Sequence, residues 1–377
     1  MRICIDTRIS RGWDSGTGRI TTSLLDKISQ LDVENEYIIV THPDAPAFGC
    51  RLPDKCQVVP LNIRAPSLAQ FTCLPIWLFK NKIDLLFSTH QLSMPIWQPC
   101  RAIGSVLDII PFHYPDDFPK FVGLYYRWII PVSLLFKKSI FTISRYTRTD
   151  IASSLFIPEK KIRVIHLAAA ETMIPKENNE HNRSILEKYG IKWPYILYHG
   201  NNRPHKNIRR LLYAFKNVLA NCNKKIVLVI TGRDVPGERE RDLGGLRQEV
   251  ESLGLGDHVY FTGYIDEEDL PVIYSFCECF AFPSLYEGFG LPVLEAMACG
   301  APVICSNRSS LPEIAGDAAI LFNPLDIDEM TAALQKILDD GSLRADLRQR
   351  GILQAQKFSW DKMAQEMLSL FREGTHS

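Results

Sequence analysis

The chain lacks most of the features that would assign its 377 residues to a specialised class. No apolar run reaches the roughly 18 residues that a membrane-spanning helix requires. Net charge is missing as well: 43 Lys and Arg balance 43 Asp and Glu. That balance argues against binding dominated by nucleic-acid phosphates, and no nucleic-acid partner is expected. Ten cysteines are present, yet none has the spacing of zinc ligands. Cys277-Glu-Cys279 sits in an apolar, strand-like run without a second pair. Reduced, buried thiols of a cytoplasmic protein are therefore expected. Internal repeats and low-complexity tracts are also lacking. The first residues, Met1-Arg-Ile-Cys-Ile-Asp6, read as a strand and not as a signal peptide.

What is there is ordinary globular material, 46% hydrophobic and 23% charged. The length suits about two domains, each able to bury its own core. Short apolar runs alternate with helical patterns, which predicts parallel α/β structure. In the first half, strands are predicted at Arg2–Thr7, Tyr37–Thr41, Gln57–Leu61, Leu85–Ser88, Ile103–Asp108, Ile140–Ser144 and Ile162–His166. A loop with Gly12, Gly16 and Gly18 precedes a helix over 19–31. A polar stretch around 171–183 reads as a linker. The pattern then restarts, with strands at Tyr195–His199, Ile226–Thr231, Val259–Thr262, Cys279–Phe282, Val303–Ser306 and Ala319–Phe322. Helices near 326–339, 341–357 and 359–372 close the chain. Two doubly wound halves facing a central cleft are expected, with ligands at the carboxyl ends of the strands.

The most informative segment is Glu287-Gly-Phe-Gly-Leu-Pro-Val-Leu-Glu295. Its first carboxylate ends a loop, and its second lies one turn into a helix. Pro292 suits the helix start and Gly300 its stop. Gly288 and Gly290 let backbone approach a ligand and aim N–H groups at it. A helix N-terminus favours an anion such as phosphate. Carboxylates on either side can accept hydrogen bonds from hydroxyls. A diphosphate flanked by hydroxyl-rich groups is a nucleotide sugar. Glu295 falls on the apolar stripe of Leu291, Leu294 and Ala298, so it should be buried and partnered. A buried ion pair with a neighbouring Arg or Lys explains it equally well.

Five other places are candidates for chemistry. In Gly200-Asn-Asn-Arg-Pro-His-Lys206, a strand passes into a helix whose dipole disfavours Lys206 unless an anion joins it. Diphosphate binding is favoured over a structural role for the lysine, with Arg203 either a second contact or a solvated loop residue. Gly16-Thr-Gly-Arg19 reads as a tight turn with a capping role or as a phosphate-facing loop. As a dinucleotide fingerprint it is broken, because the third glycine falls at Thr21, which argues against a nicotinamide enzyme. Asp108 ends a strand before a proline loop, facing the crevice or capping a turn. His90 and His113 lie nearby as lone, weak candidates. Thr262-Gly-Tyr264 could present groups to a base or simply end a strand. The aromatic and basic stretch 121–138 reads as a core helix broken by Pro131, with a membrane-surface helix as the other reading.

These residues resemble the retaining GT-B glycosyltransferases of family 4. The family's Glu-x7-Glu is Glu287 to Glu295. Its phosphate-lysine segment is Gly200-Asn-Asn-Arg-Pro-His-Lys-Asn207, and its strand end Phe-Thr-Gly-Tyr is Phe261–Tyr264. Its Phe-Ser-Trp is Phe358-Ser-Trp360. Its N-terminal signature is Ile5-Asp-Thr-Arg8 with Ser15-Gly-Thr-Gly-Arg19. The likeness spans nearly the whole chain and is looser over 41–136. It implies a GT-B fold. An acceptor domain would cover 1–170, with a final helix about 359–377 packing back on it. A donor domain would cover 184–358.

The resemblance also implies roles. Glu295 would hold the ribose, and Glu287 would contact the transferred sugar. Lys206, and Arg203 beside it, would stabilise the diphosphate. Gly288 belongs to the same glycine turn, and backbone at Phe289, Gly290 and Leu291 would grip phosphate and sugar. Tyr264 would lie near the base. Gly16 and Gly18 would close over the diphosphate. Asp108 would orient or deprotonate the acceptor. No metal and no cofactor is implied, since cationic side chains and N–H groups take that part.

Two departures stand out. The family's His-Asp pair reads Leu107-Asp108 here, and a frequent Arg before the lysine is His205. The implied reaction moves a sugar, mannose or rhamnose by overall similarity, to a hydroxyl of a glycan or lipid-linked glycan in bacterial surface polysaccharide synthesis. A GDP-sugar is expected ahead of a UDP- or dTDP-sugar. The location is the cytoplasm, with peripheral contact of the N-terminal domain at the inner membrane face. A nucleotide-sugar epimerase and a non-catalytic sugar-nucleotide-binding subunit are the alternatives.

Overall fold

The computed structural model describes residues 1–10, 16–45, 47–221, 225–232 and 240–373. Gly12 and Ser15 lie outside the described residues. The chain divides into two units, Met1–Leu167 with the segment from Ser359 onward, and Ala168–Phe358.

Among the described residues, the strands of the first unit are β1 (Arg2–Asp6), β2 (Glu36–Thr41), β3 (Cys56–Pro60), β4 (Leu85–Ser88), β5 (Arg101–Ser105), β6 (Ser139–Thr142) and β7 (Ile162–Val164). They form one parallel sheet in the order β3-β2-β1-β4-β5-β6-β7. The interior strands read as unbroken apolar runs because helices cover both faces. Every residue of β4 and β6 is buried, whereas β3, at the edge, is mostly exposed. At the carboxyl end of β1, buried Asp6 and Arg8 form a two-pronged ion pair, with Nε to Oδ1 at 2.8 Å and Nη2 to Oδ2 at 2.7 Å. Arg8 also donates to the Ile63 carbonyl, tying the segment after β3 to the centre of the sheet.

The final helix, Trp360–Arg372, starts at Ser359, whose hydroxyl accepts from the N–H groups of Asp361 and Lys362. It packs in this first unit. The buried Phe371 ring lies 5.5 Å from that of Phe87, and Asp361 pairs with Lys27 at 3.3 Å. The long chain return is stabilised by burying an aromatic core residue.

The second unit holds β8 (Tyr195–His199), β9 (Val227–Thr231), β10 (Val259–Gly263), β11 (Cys279–Phe282), β12 (Val303–Ser306) and β13 (Ala319–Phe322). They too are parallel, in the order β10-β9-β8-β11-β12-β13. The order reverses between β8 and β11, where a doubly wound sheet opens its ligand crevice. The polar stretch before β8 packs with this unit: Met173 sits in its core, and Asn179 caps the helix Glu180–Lys188.

Two local readings of the sequence need correction. Pro131 does not break the 120–135 stretch. Helical turns run from Lys120 to Leu135, with a π-helical turn at Tyr125–Ile129 directly before the proline. The wider turn absorbs the missing N–H and the ring. The strand read as Ile103–Asp108 ends at Ser105, so Asp108 lies in the loop beyond it.

His90 caps the turn Gln91–Ser93, its Nδ1 accepting the Leu92 N–H at 3.1 Å. Burial pushes its pKa down to about 4, against a smaller upward pull from Asp6. An unfolded histidine titrates near about 6.5. The stabilisation from keeping His90 neutral is therefore complete above about pH 6.5 and is lost as pH falls toward 4. His90→Asn keeps an oxygen for the cap and removes the titration. Between pH 7 and 4.5 the native protein should lose on the order of 5 °C more in unfolding midpoint than the variant. Thermal unfolding at both pH values measures this, and equal losses would contradict it.

Candidate functional site

Two loops at the reversal point of the second sheet build the site. The first leaves β8 through Gly200 and a single 3-10 turn, Pro204–Lys206, before the helix Ile208–Asn221. The path depends on a close approach. A side chain at Gly232, which follows β9, would run into the Gly200 carbonyl. Asn207 then turns the chain with φ +62°, a conformation that asparagine tolerates better than other side chains. Its amide donates to the Pro283 carbonyl at 3.0 Å and to the Pro324 carbonyl at 2.7 Å. Asn207 therefore locks the first loop to the second, a role its motif position alone did not reveal.

The second loop follows β11. The Leu285 N–H donates to the His205 carbonyl at 2.8 Å, stitching the loops again. Glu287 and Lys206 then meet, Oε1 to Nζ at 2.6 Å, with side chains only 11% and 12% exposed. The ammonium also lies 5.4 Å from the centre of the Phe282 ring. Burial, with the charge of Glu287 adding, holds the Tyr198 phenol well above its usual pKa. It therefore stays protonated and donates to the Asn201 carbonyl at 2.8 Å.

Gly288 and Phe289 are buried, and Gly290 turns with φ +106° into the helix Leu291–Ala298. A side chain at Gly290 would press on Leu311, its Cβ only 2.7 Å from Leu311 Cδ2. Pro292 stands in the first turn, where its missing N–H costs nothing. Glu295 is 3% exposed, and the Tyr274 hydroxyl lies 3.5 Å from its carboxylate. The carboxyl edge of the sheet thus carries Lys206 and the turn Glu287, Gly288, Phe289, Gly290 and Leu291 leading to Glu295, while Arg203 opens the 3-10 turn and lines a cavity with Arg209, Arg210 and Leu246. Chemically, the assembly offers an ammonium, two carboxylates and a helix N-terminus within one unit.

The other candidates lie elsewhere. Tyr264, 45% exposed, follows β10, whose last residue Gly263 accepts the Gly232 N–H at 3.0 Å. Gly16 and Gly18 open the helix Gly16–Leu31 of the first unit. Asp108, also in the first unit, accepts the Ile110 N–H at 3.1 Å and so caps a turn. His113 Nε2 lies 2.9 Å from the Asp150 carboxylate. His205 is buried.

Likeness to known proteins agrees with this arrangement. The family described as Glycosyl transferases group 1 matches residues 181–354. O-antigen chain mannosyltransferase B of Escherichia coli is 36% identical over 351 residues, covering 93% of this chain and 88% of that one. Serotype-specific mannosyltransferase WbdA of Escherichia coli is 34% identical over 271 residues, 71% of this chain. The match spans only 32% of the length of WbdA. The structure of Anabaena Alr3699/HepE in complex with UDP and glucose superposes with a TM-score of 0.79 at 17% identity, over 99% of this chain and 100% of that one. That likeness is one of fold, the two-sheet GT-B architecture. These matches are to sugar transfer and not to nucleotide-sugar epimerisation. The chain belongs to the glycosyl transferases of group 1.

Proposed function

We propose that the protein is a retaining mannosyltransferase that takes mannose from GDP-mannose and adds it to a hydroxyl of a glycan or lipid-linked glycan in surface polysaccharide synthesis. The observation that carries the donor site is the buried Lys206–Glu287 pair at the reversal point of the second sheet. An ammonium held there can turn from its carboxylate to a diphosphate. The leaving group is stabilised as the C1–O bond breaks. The released carboxylate then faces the sugar. Glu295 would take the ribose hydroxyls, Arg203 the diphosphate and Tyr264 the base. Backbone at Gly288, Phe289, Gly290 and Leu291 would grip phosphate and sugar. Gly16 and Gly18 would close over the diphosphate, supported by the family likeness of the segment Ser15–Arg19.

Retention would follow a dissociative, same-face path. The acceptor hydroxyl attacks from the side the diphosphate leaves, and the leaving phosphate takes its proton. Asp108 would orient the acceptor. Its support is its place after a strand of the first sheet, and its capping bond to Ile110 limits how far it can swing. No metal ion is assigned a part, since Lys206 can supply the positive charge. The choice of mannose rests on what the relatives are named for, and the choice of GDP follows from mannose.

Lys206→Met keeps the apolar stem and removes the charge. It should cut transfer from GDP-mannose at least a hundredfold, with the unfolding midpoint recorded to show that the variant folds. Octyl α-mannoside serves as acceptor and the product is read by mass spectrometry. Near-normal transfer by the folded variant would sink the site, and activity with UDP-mannose alone would overturn the choice of base.

We also propose that the first unit rests on the cytoplasmic face of a membrane. Phe121, Leu124, Trp128, Val132, Leu135 and Phe136 are all exposed along one helical stretch, Trp128 by 64%. Lys120, Arg127 and Lys138 flank them, and the stretch carries no acidic residue. Aromatic and aliphatic side chains with a basic rim suit an anionic headgroup layer. Among the described residues, no helix is long and apolar enough to cross a membrane. Vesicles containing phosphatidylglycerol should therefore co-sediment with the protein, and Trp128→Glu with Leu124→Glu should weaken that binding about tenfold. Equal partition of the native and doubly substituted proteins would contradict the assignment.

A further inference from the structure

We infer that Ser309 and Ser310 are positioning residues that hold Glu287 for sugar transfer, an inference that rests on the role proposed above for Glu287. Glu287 lies in a loop, outside any strand or helix, so no ladder fixes its backbone. Two consecutive side chains do so instead. The Glu287 N–H donates to the Ser309 hydroxyl at 3.0 Å. The Ser310 hydroxyl lies 3.0 Å from the Glu287 carbonyl and 2.8 Å from the Phe289 carbonyl, so its single proton is shared between them. Both backbone polar groups of one glutamate are therefore held by side chains from the loop that follows β12.

That loop is itself braced. The Asn307 N–H donates to the Phe322 carbonyl at 2.8 Å, and the Ser306 hydroxyl accepts the Arg308 N–H at 3.1 Å. Ser309 donates its own proton to the Arg308 carbonyl at 2.7 Å. Its hydroxyl oxygen thus faces Glu287 purely as an acceptor. Ser310 is fully buried, and Leu311 behind it packs where Gly290 has no side chain. The loop 307–311 is a buttress under the turn 287–290.

The backbone at Ser309 has φ +55°, a region that L residues other than Asn and Asp seldom adopt. Glycine would sit there with less strain. It would also lack the hydroxyl that meets Glu287. Strain kept beside a functional group points to a use for the strained side chain. Ser309 meets Glu287, the residue assigned to the sugar, whereas Ser310 also holds Phe289, whose backbone is assigned to phosphate and sugar.

Ser309→Gly separates the two explanations of the serine. It relieves the backbone and removes the acceptor, so the unfolding midpoint should stay level or rise. The kcat for transfer from GDP-mannose should fall at least tenfold, while the dissociation constant for GDP, which carries no sugar, should stay within twofold. Hydrogen exchange at the Glu287 amide should quicken. Ser309→Ala should lose as much kcat but melt lower, and Ser310→Ala should reduce both. Ser309→Gly with transfer within twofold of native and unchanged exchange at Glu287 would overturn the inference. Failure of the donor reading looks different: the native protein would then bind no GDP, and Lys206→Met would change nothing.

Discussion

A carboxylate and an ammonium taken out of water together must face each other, and that requirement organises the second unit. Lys206 and Glu287 are 81 residues apart in sequence and meet at 2.6 Å. Removing either leaves the other buried and uncompensated, at a cost of about 3–5 kcal/mol. The pair therefore draws the loop after β8 onto the loop after β11. The Asn207 amide and the His205 carbonyl repeat the stitch with neutral bonds. Parallel strands bring both loops to the same sheet edge, and the reversal of strand order leaves a gap between them. Fold and candidate site are thus one construction: the topology places both loops at the reversal point and a buried ion pair joins them.

In the proposed donor site, the two members of the pair would exchange partners with a substrate's groups. A diphosphate can replace the carboxylate on Lys206, and sugar hydroxyls can replace the ammonium on Glu287. Pre-orientation costs less when the charges already have partners in place. The serine clamp extends this logic to the backbone of Glu287. In the first unit, by contrast, the buried ion pair of Asp6 and Arg8 is closed on itself by bonds to the Ile63 and Ser93 carbonyls. It welds loops together and offers nothing to a ligand.

How much of this could be read in the residues follows from how local each feature is. The strands were legible because parallel strands are buried on both faces and read as unbroken apolar runs, as in Cys279–Phe282. The glutamate pair was legible because glycines and a proline at fixed spacing mark a turn entering a helix. The burial of Glu295 followed from its place on an apolar stripe. The end of β5 was not legible, since Val106 and Leu107 continue the apolar run after the strand ends at Ser105. Pro131 suggested a break that the π-helical turn at Tyr125–Ile129 avoids. Ser309 and Ser310 carried no signal at all. Ordinary serines acquire their part only when the chain returns beneath Glu287, a contact 22 residues distant for Ser309. The Asn207 bridge was hidden for the same reason, though asparagine after a short turn hints at positive φ.

Lys206 and Glu287 are proposed as the two halves of a nucleotide-sugar site. A crystal structure of the protein with GDP-mannose tests it most directly. A diphosphate oxygen should lie within hydrogen-bond reach of Lys206 Nζ, a mannose hydroxyl on the Glu287 carboxylate and ribose hydroxyls on Glu295. Nucleotide bound elsewhere, with Lys206 and Glu287 still joined, would contradict that assignment.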